Sequence, residues 1–464
     1  MTETDVQQTD RTTDRDEEDY SLDPRTVDAI LEAVDAGDMA EIDRLMEPLH
    51  AADIADLFEQ IGAGERGRLV ALWSHGIDGE ILSELDESIR DDVIAALPPD
   101  VLQDAVRELD SDDVVDIVED LEEPQQELIL GALDDSERAA VEQSLTYPEY
   151  SAGRLMQREV VTAPEHWSVG EAIDFLRSET ELPDQFYHMI LVDPRWHPVG
   201  YVTLGKLLSS KRAVKLKEIL EDSFRTISVL EDEGDVAYAF NQYHLISAPV
   251  VDEHDRLVGV ITIDDALAVL DEDHGADILD LAGVGGESSI SDGAIATARQ
   301  RIPWLVVNLF TASMSAFVIS RFESTIAQLV TLAAVMPIVA STGGIAGTQS
   351  LAVAVRALAT RDLTNSNAKR VVMRELGAGI LNGLGLSVIL GLGAMAVFGQ
   401  PMLGVVLGLA MIVNQIVAAM GGVMVPLGLE KLGLDPALAS GTFVTTLTDV
   451  MGYLTFLGLA TMLM

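Results

Sequence analysis

The chain has no cysteine, which excludes disulfides and thiolate chemistry. Bases are few: 29 Lys and Arg stand against 77 Asp and Glu, a formal net charge of −48. Only six of those bases are Lys. Phosphate contacts need Lys and Arg, so nucleic acid is excluded as a partner. Histidine stops at His274, so no imidazole is present beyond it. The first residues are polar and acidic and lack a signal peptide, so the N-terminal half is expected to stay in the cytoplasm. No Walker motif is present, so ATP hydrolysis is not expected to drive anything.

The charges divide the chain in two. Residues 1–290 hold 70 acids and 20 bases, whereas residues 291–464 hold 7 acids and 9 bases. At 464 residues, a single soluble domain is not expected. The acids of the first part are scattered, and such a charge repels itself in dilute buffer. Molar salt shortens the screening length to roughly 3 Å. A halophilic source with a salty cytoplasm is the expectation, with most acids solvated at the surface.

Residues 1–20 are acidic and almost free of large apolar groups, and are expected to be a disordered tail. An internal repeat follows. Leu49, Ile61, Trp73, Leu85, Leu97, Leu109, Leu121, Leu133 and Leu145 recur every 12 residues. Between them, Pro or Asp opens each stretch, acids fill the first turn, and apolar residues recur at helical spacing. Both features favour helix starts. The pattern predicts short helices stacked as an α-solenoid over 21–150. Gly62–Gly67 reads GxGxxG, but no strand precedes it, and it is dismissed as a nucleotide site.

From 151 to 272 the pattern becomes short apolar strands and amphipathic helices, and a second repeat appears. Val192-Asp193 and Val199–Thr203 match Val251-Asp252 and Val258–Thr262 at an offset of 59. Each copy reads as a β-turn-β-α unit. These residues resemble a tandem CBS pair, a module that usually senses an adenosine nucleotide. A CBS nucleotide site typically pairs Thr or Ser with an Asp three residues later. Thr262 and Asp265 fit that pattern in the second copy, while the first has Thr203 and Lys206. One adenine nucleotide, possible as ATP, is therefore expected per chain, and not two.

Residues 273–300 form a polar linker, part helix, with a turn at Gly283–Gly286. Over 301–464 the chain is apolar. Ile302–Ser320, Ile326–Val355, Leu376–Gly399, Met402–Leu429 and Pro436–Met464 are each long enough for a bilayer core that needs about 20 helical residues. With the N-terminus inside, the inner loops collect Arg299, Arg301, Arg356, Arg361, Lys369, Arg370, Arg374 and Lys431, and the outer loops only Arg321. The positive-inside rule supports that orientation and places the C-terminus outside.

Within the last span stands Asp449, beside Thr445, Thr446 and Thr448. A mid-bilayer carboxylate costs about 2.5–3.5 kcal/mol, and is tolerated where it meets water, a cation or a partner. With imidazole missing from the spans, cysteine missing everywhere, and Met in an apolar span more often packing than a Cu(I) ligand, the span suits a hard cation held by oxygen, and a hydrated ion better than a bare one. In the second span Pro337 precedes Ser341–Gln349, rich in Gly. Such a stretch is expected to weaken the helix and expose carbonyls to a pore, to pack helices closely through Gly343 and Gly347, or to do both. Asn382, Asn414 and Gln415 are expected to form interhelical hydrogen bonds.

The order of acidic helical repeat, CBS pair, linker helix and five spans resembles the MgtE family of Mg2+ channels. Met336–Gly344, Arg356–Asp362 and Asp435–Val450 carry the likeness. The resemblance implies a homodimer with its pore between the two membrane domains and Asp449 as pore carboxylate. It maps the family's Gly-rich motif onto Gly343, Gly344, Gly347 and Gln349, with Ile345 where the family usually has Asn. It also implies that cytosolic Mg2+ closes the pore by binding Asp112 and Asp116 in the helical repeat, Asp232, Asp265 and Asp273 in or just after the CBS pair, and Asp277 in a plugging linker helix. Ala276 stands where the family often has a further acid.

The expected fold is thus multidomain: an α-solenoid, an α/β CBS pair and an all-α membrane domain of five helices. The expected function is a Mg2+ channel or transporter of the cell membrane, with no covalent catalysis. A CBS-regulated anion channel and a membrane-tethered nucleotide sensor are the rival readings.

Overall fold

Many of the acids in the first half of the chain begin helices. In the computed structural model, Asp23, Asp38, Asp78, Asp86 and Asp134 each accept a hydrogen bond from a backbone N–H in the first turn of the helix they precede. An Asp at this position answers otherwise unpaired donors and complements the positive helix end. The structure describes residues 22–464 except 122, 180, 181, 184, 222, 223, 287, 289–292, 365 and 439. The expected tail over 1–20 lies outside the described residues.

The chain divides into two units after Leu270. The first opens with ten α-helices among the described residues, from α1 (Pro24–Ala36) to α10 (Asp135–Ser144), including α8 (Ser111–Asp120). The 12-residue ladder has a structural meaning. Ile61, Leu97, Leu121 and Leu145 are the residues that follow the last turn of a helix. Ile61, Trp73, Leu85, Leu97 and Leu121 are buried, and Leu49, Leu109, Leu133 and Leu145 pack against the same core. Each side chain tucked into that core is worth about 1.5–3 kcal/mol over exposure. Gly62 caps a helix start, with the Glu65 carboxylate accepting from its N–H at 3.1 Å. The GxGxxG string is therefore a helix entry.

Two three-stranded sheets follow. The first contains β1 (Thr162–Pro164), β2 (His188–Val192) and β3 (Pro198–Thr203); the second contains β4 (Ile227–Ser228), β5 (Ser247–Val251) and β6 (Leu257–Thr262). In each sheet the first strand runs parallel to the second and the second antiparallel to the third. Leu191 pairs with Gly200 and Val250 with Gly259, and the register slips one residue later in both. The turns match as well. Asp193 accepts from the N–H groups of Arg195 and His197, and Asp252 from those of His254 and Arg256. Helix α11 (Ala152–Leu155) precedes β1, α12 (Val169–Ser178), α13 (Leu204–Ser209) and α14 (Glu233–Tyr243) lie between the strands, and α15 (Ile263–Ala282) follows β6. That last helix is one uninterrupted element of 20 residues, so the linker's helical part begins at the end of β6. It stops at Gly283 and Gly285, both with positive φ.

The second unit contains α16 (Ala294–Ser320), the short α17 (Glu323–Gln328), α18 (Thr331–Ala359), α19 (Ala368–Phe398), α20 (Pro401–Lys431) and α21 (Ser440–Leu463). The five long helices have the length and apolar composition to cross a membrane. Helix α20 is the most enclosed and α16 the least. The outer surface carries exposed Leu309, Phe310, Leu381, Ile389 and Val397, an apolar surface suited to lipid. Helices α19 and α20 touch backbone to backbone. A Cβ on Gly404 would lie 2.5 Å from the Gly391 carbonyl oxygen, and one on Gly383 would lie 2.9 Å from the Ile412 Cα.

Helix α18 corrects one expectation. Pro337 and the glycines leave it unbroken from Thr331 to Ala359. Two of its carbonyls are answered from α20: Asn414 Nδ2 donates to the Val339 oxygen at 2.9 Å, and Gln415 Nε2 donates to the Thr342 oxygen at 3.3 Å. Gln415 thus occupies one backbone oxygen, that of Thr342, that the glycine-rich stretch was expected to leave open.

Candidate ion-conducting and ion-sensing sites

In the first unit, half-buried carboxylates gather between α8 and the start of α15. Asp112 is pushed well above the ordinary carboxylate range by burial, and then by the nearby charges of Asp265, Asp113 and Asp110. Burial and the charge of Asp265 likewise raise Asp113 to about 7. Burial raises Asp265 to about 6, against the Thr262 hydroxyl, which donates to its Oδ2 at 2.6 Å. Acids this crowded hold protons, or need a cation, to stay together. Helix α8 is anchored here by Ser111, whose hydroxyl donates to Glu159 at 2.8 Å and accepts from the Arg158 N–H at 2.8 Å.

The other expected acids of this unit lie differently. Asp116 is paired with the largely buried Arg90. Asp232 caps α14, accepting from the N–H groups of Gly234 and Asp235 at 3.1 and 3.4 Å. In the second unit, Asp277 is raised to about 6 by burial and then by Asp435 and Asp273, with His274 opposing. Asp280 is raised too, by burial and by Asp435. Asp435 accepts from the Ala437 N–H at 2.6 Å, which holds its carboxylate at the entrance to α21. One turn on, Leu281 packs with Leu351, Val355, Ala437 and Val444, at the ends of α18 and α21. The end of α15 therefore sits on the spanning helices with its acids gathered beside Asp435.

Within the spans, Asp449 is half-buried on α21, nine residues after its first residue. The hydroxyls of Thr445, Thr446 and Thr448 donate back to the carbonyls of Gly441, Thr442 and Thr445. Their oxygens keep acceptor capacity, but Thr448 is fully buried, which leaves Thr445 and Thr446 as the accessible pair. Helix α18 comes alongside. A Cβ on Gly344 would meet the Thr445 methyl at 3.8 Å, in ordinary contact. One on Gly343 would lie 2.1 Å from Asn414 Nδ2, and one on Gly347 would lie 2.6 Å from the Val444 side chain. Gly343 and Gly347 thus serve close packing, and Gly344 is the glycine free to face a pathway. Gln349 is exposed on another face of α18.

The likeness to known proteins covers all these parts. Residues 336–459 match the MgtE family, described as a divalent cation transporter. Residues 49–150 match the MgtE intracellular N domain, and residues 152–212 and 216–272 each match a CBS domain. A magnesium transporter MgtE of Thermus thermophilus is 33% identical over 441 residues, 94% of this chain and 98% of that one. This chain belongs to the MgtE family. A second MgtE magnesium transporter, from Enterococcus faecalis, is 33% identical over 329 residues, 71% of this chain and 72% of its own. Among solved structures, the cytosolic domain of the Mg2+ channel MgtE in complex with ATP is 29% identical, covering 52% of this chain and 99% of that one, with a TM-score of 0.49. The anion-channel and tethered-sensor readings are set aside by this membership.

Measured against the MgtE expectations, the structure brings Asp112 and Asp265 together, and Asp273 with Asp277. Asp116, though paired with Arg90, adds its charge to those that raise Asp113, and Asp232 joins neither group. Asp113, Asp264, Asp280 and Asp435 were missed. Only Asp435 carried a signal, as the start of the motif that ends in Asp449. Among the described residues, no three acidic or histidine side chains converge as a metal cage. The donor sets are nonetheless all oxygen and crowded with like charge. That suits a hard cation that keeps part of its water shell and bridges acids from different elements.

Thr262 and Asp265 are joined by the hydroxyl hydrogen bond, on a side chain shared with the acid cluster. In the first copy, Thr203 caps α13 and Lys206 forms an ion pair with Glu221 at 3.5 Å.

Proposed function

We propose that this protein carries Mg2+ across the cell membrane as a homodimer, along a pathway lined by the Asp449 face of α21, and that cytosolic Mg2+ closes it. One observation carries the reading. Asp449 is a carboxylate well inside a span, flanked by Thr445 and by the one motif glycine of α18 that packing leaves unobstructed. A hard cation that moves with its waters needs such a weak, oxygen-only station.

In this reading the cytoplasm holds the helical domain over 21–150, the CBS pair over 151–272 and the linker over 273–300. The membrane domain occupies 301–464, with its C-terminus outside. The basic residues around the inner loops support that orientation. Mg2+ at Asp112, Asp113 and Asp265, and at Asp277, Asp280 and Asp435, relieves like-charge repulsion and stabilises the closed state. Ordinary mass action then makes internal Mg2+ its own inhibitor. An adenine nucleotide at Thr262 and Asp265 adds a second regulatory ligand.

The test is Mg2+ flux into liposomes. Asp449→Asn is expected to abolish it or reduce it strongly while the dimer still assembles. Flux at the level of the unsubstituted protein, from a folded dimer, overturns the pathway.

A further inference from the structure

Away from Asp449, the spanning unit has a second polar region. A cavity of about 200 Å3 lies between α18, α19 and α20, with Gln349, Ser350, Glu375, Asn382 and Gln415 in its wall. It shares Ser350, Val353 and Glu375 with a second cavity of about 380 Å3, whose wall includes Asp362 and Asn367 of the α18–α19 connection and Arg370 in the first turn of α19. Polar lining therefore continues from that connection into the span. From Glu375 to Asn382 it follows α19 for about 10 Å. Five polar side chains around one void are costly beside hydrocarbon, and an ionisable residue there marks a site.

One acceptor of the wall is left without a donor. Gln415 is 1% exposed, and its Nε2 is directed to the Thr342 carbonyl. Its Oε1 has no partner among the described residues. The Ser350 hydroxyl donates to Glu375 Oε2 at 3.2 Å, and Arg374, largely exposed, approaches Oε1 at 3.1 Å. A fitting ligand brings hydrogen-bond donors and positive charge. A bare divalent ion needs more charged oxygens than one half-neutralised carboxylate supplies. A hydrated ion turns its own waters outward as donors and needs only one or two carboxylates.

We propose that this cavity is a second binding site for a hydrated divalent cation, held through its water shell by Glu375, Gln349, Ser350 and Gln415. The site is distinct from the Asp449 pathway and stands whether or not Asp449 carries flux.

The absence of native cysteine makes single cysteines clean reporters. The full chain is used, in detergent and on an Asp449→Asn background, so that failure of the pathway and failure of this site are read separately. A charged, water-soluble methanethiosulfonate reagent is expected to modify Ala378→Cys in the cavity wall, and to spare Leu381→Cys on the lipid side of α19. Mg2+ at about ten times its half-protecting concentration slows the Ala378→Cys reaction about tenfold. K+ at matched ionic strength does not. Adding Glu375→Gln removes the protection while modification persists. Gln349→Ala, a milder change in the wall, raises the half-protecting concentration several-fold and serves if Glu375→Gln does not fold. The proposal is overturned if Ala378→Cys is inert, if Mg2+ leaves its rate unchanged or if K+ protects equally. Protection that survives both Glu375→Gln and Gln349→Ala also overturns it, because closure elsewhere then shields the thiol.

Discussion

His188 meets its own counterpart. It occupies the first position of β2, Ser247 occupies the first of β5, and the imidazole Nδ1 is hydrogen-bonded to the serine hydroxyl across exactly the 59-residue offset of the repeat. Two equivalent residues touch only where an approximate two-fold axis passes between the copies. Both side chains are buried, and His188 also lies against Tyr201, with ring centroids 4.3 Å apart.

Ser247→Ala leaves the imidazole nitrogen unanswered and is expected to cost about 1–3 kcal/mol. Exchanging the pair, as His188→Ser with Ser247→His, rebuilds the bond across the axis and recovers part of that loss. Burial holds His188 below the ordinary histidine range. The folded state thus favours the neutral ring. Its contribution is complete above about pH 6.5 and is lost as pH falls toward the folded value. Thermal unfolding of the three variants across pH measures both effects. A double exchange no better than the worse single change counts against the axis.

The acid cluster predicts proton release. Asp113 is raised to about 7 and Asp265 to about 6, so the cluster carries protons below neutrality. Folded values above unfolded ones mean that the folded state binds more protons. Without divalent ions, stability therefore falls as pH rises from the ordinary carboxylate range through about 7. Mg2+ is expected to displace protons at pH 6 and few or none at pH 8.5. Titration calorimetry in buffers of different ionisation enthalpy counts them, and Asp113→Asn lowers the count at pH 6. Equal counts at both pH values contradict the assignment.

Asn414 and Gly343 form a lock in the membrane. The carboxamide fills the space that a side chain at Gly343 would need, and a Cβ on Gly452 would lie only 2.9 Å from the same nitrogen. Gly343→Ala alone is expected to cost about 1–3 kcal/mol and to lower flux. Adding Asn414→Ala removes the clash, and the pair is expected to be non-additive by more than about 0.5 kcal/mol. Strict additivity in unfolding and flux separates the two positions.

The architecture was legible because its signals are periodic. Long apolar runs marked the five spans, and the 59-residue offset marked the paired sheets, whose register slips match in the structure. Asp449 was legible because a lone carboxylate in an apolar run is conspicuous. Asp113, Asp264 and Asp280 were hidden for the opposite reason: with 77 acids in the chain, no single Asp stands out. What distinguishes them is their place opposite acids from another element, and spacing does not encode that. Pro337 leaves α18 unbroken, and amides from α20 answer two later carbonyls of that helix, those of Val339 and Thr342. Those amides, Asn414 and Gln415, lie more than 70 residues further along the chain.

Helices α19 and α20 are joined by a tight turn, Gly399 with φ 66 and then Gln400. Their glycines bring main chain against main chain on both sides of that turn. Neither helix keeps this fit if it slides or rotates by one residue. The pair is therefore expected to insert as one hairpin whose register does not depend on α21 or Asp449. Substituting Gly383 or Gly404 then becomes an error of assembly, read in the yield of inserted protein and not in the conductance of what survives.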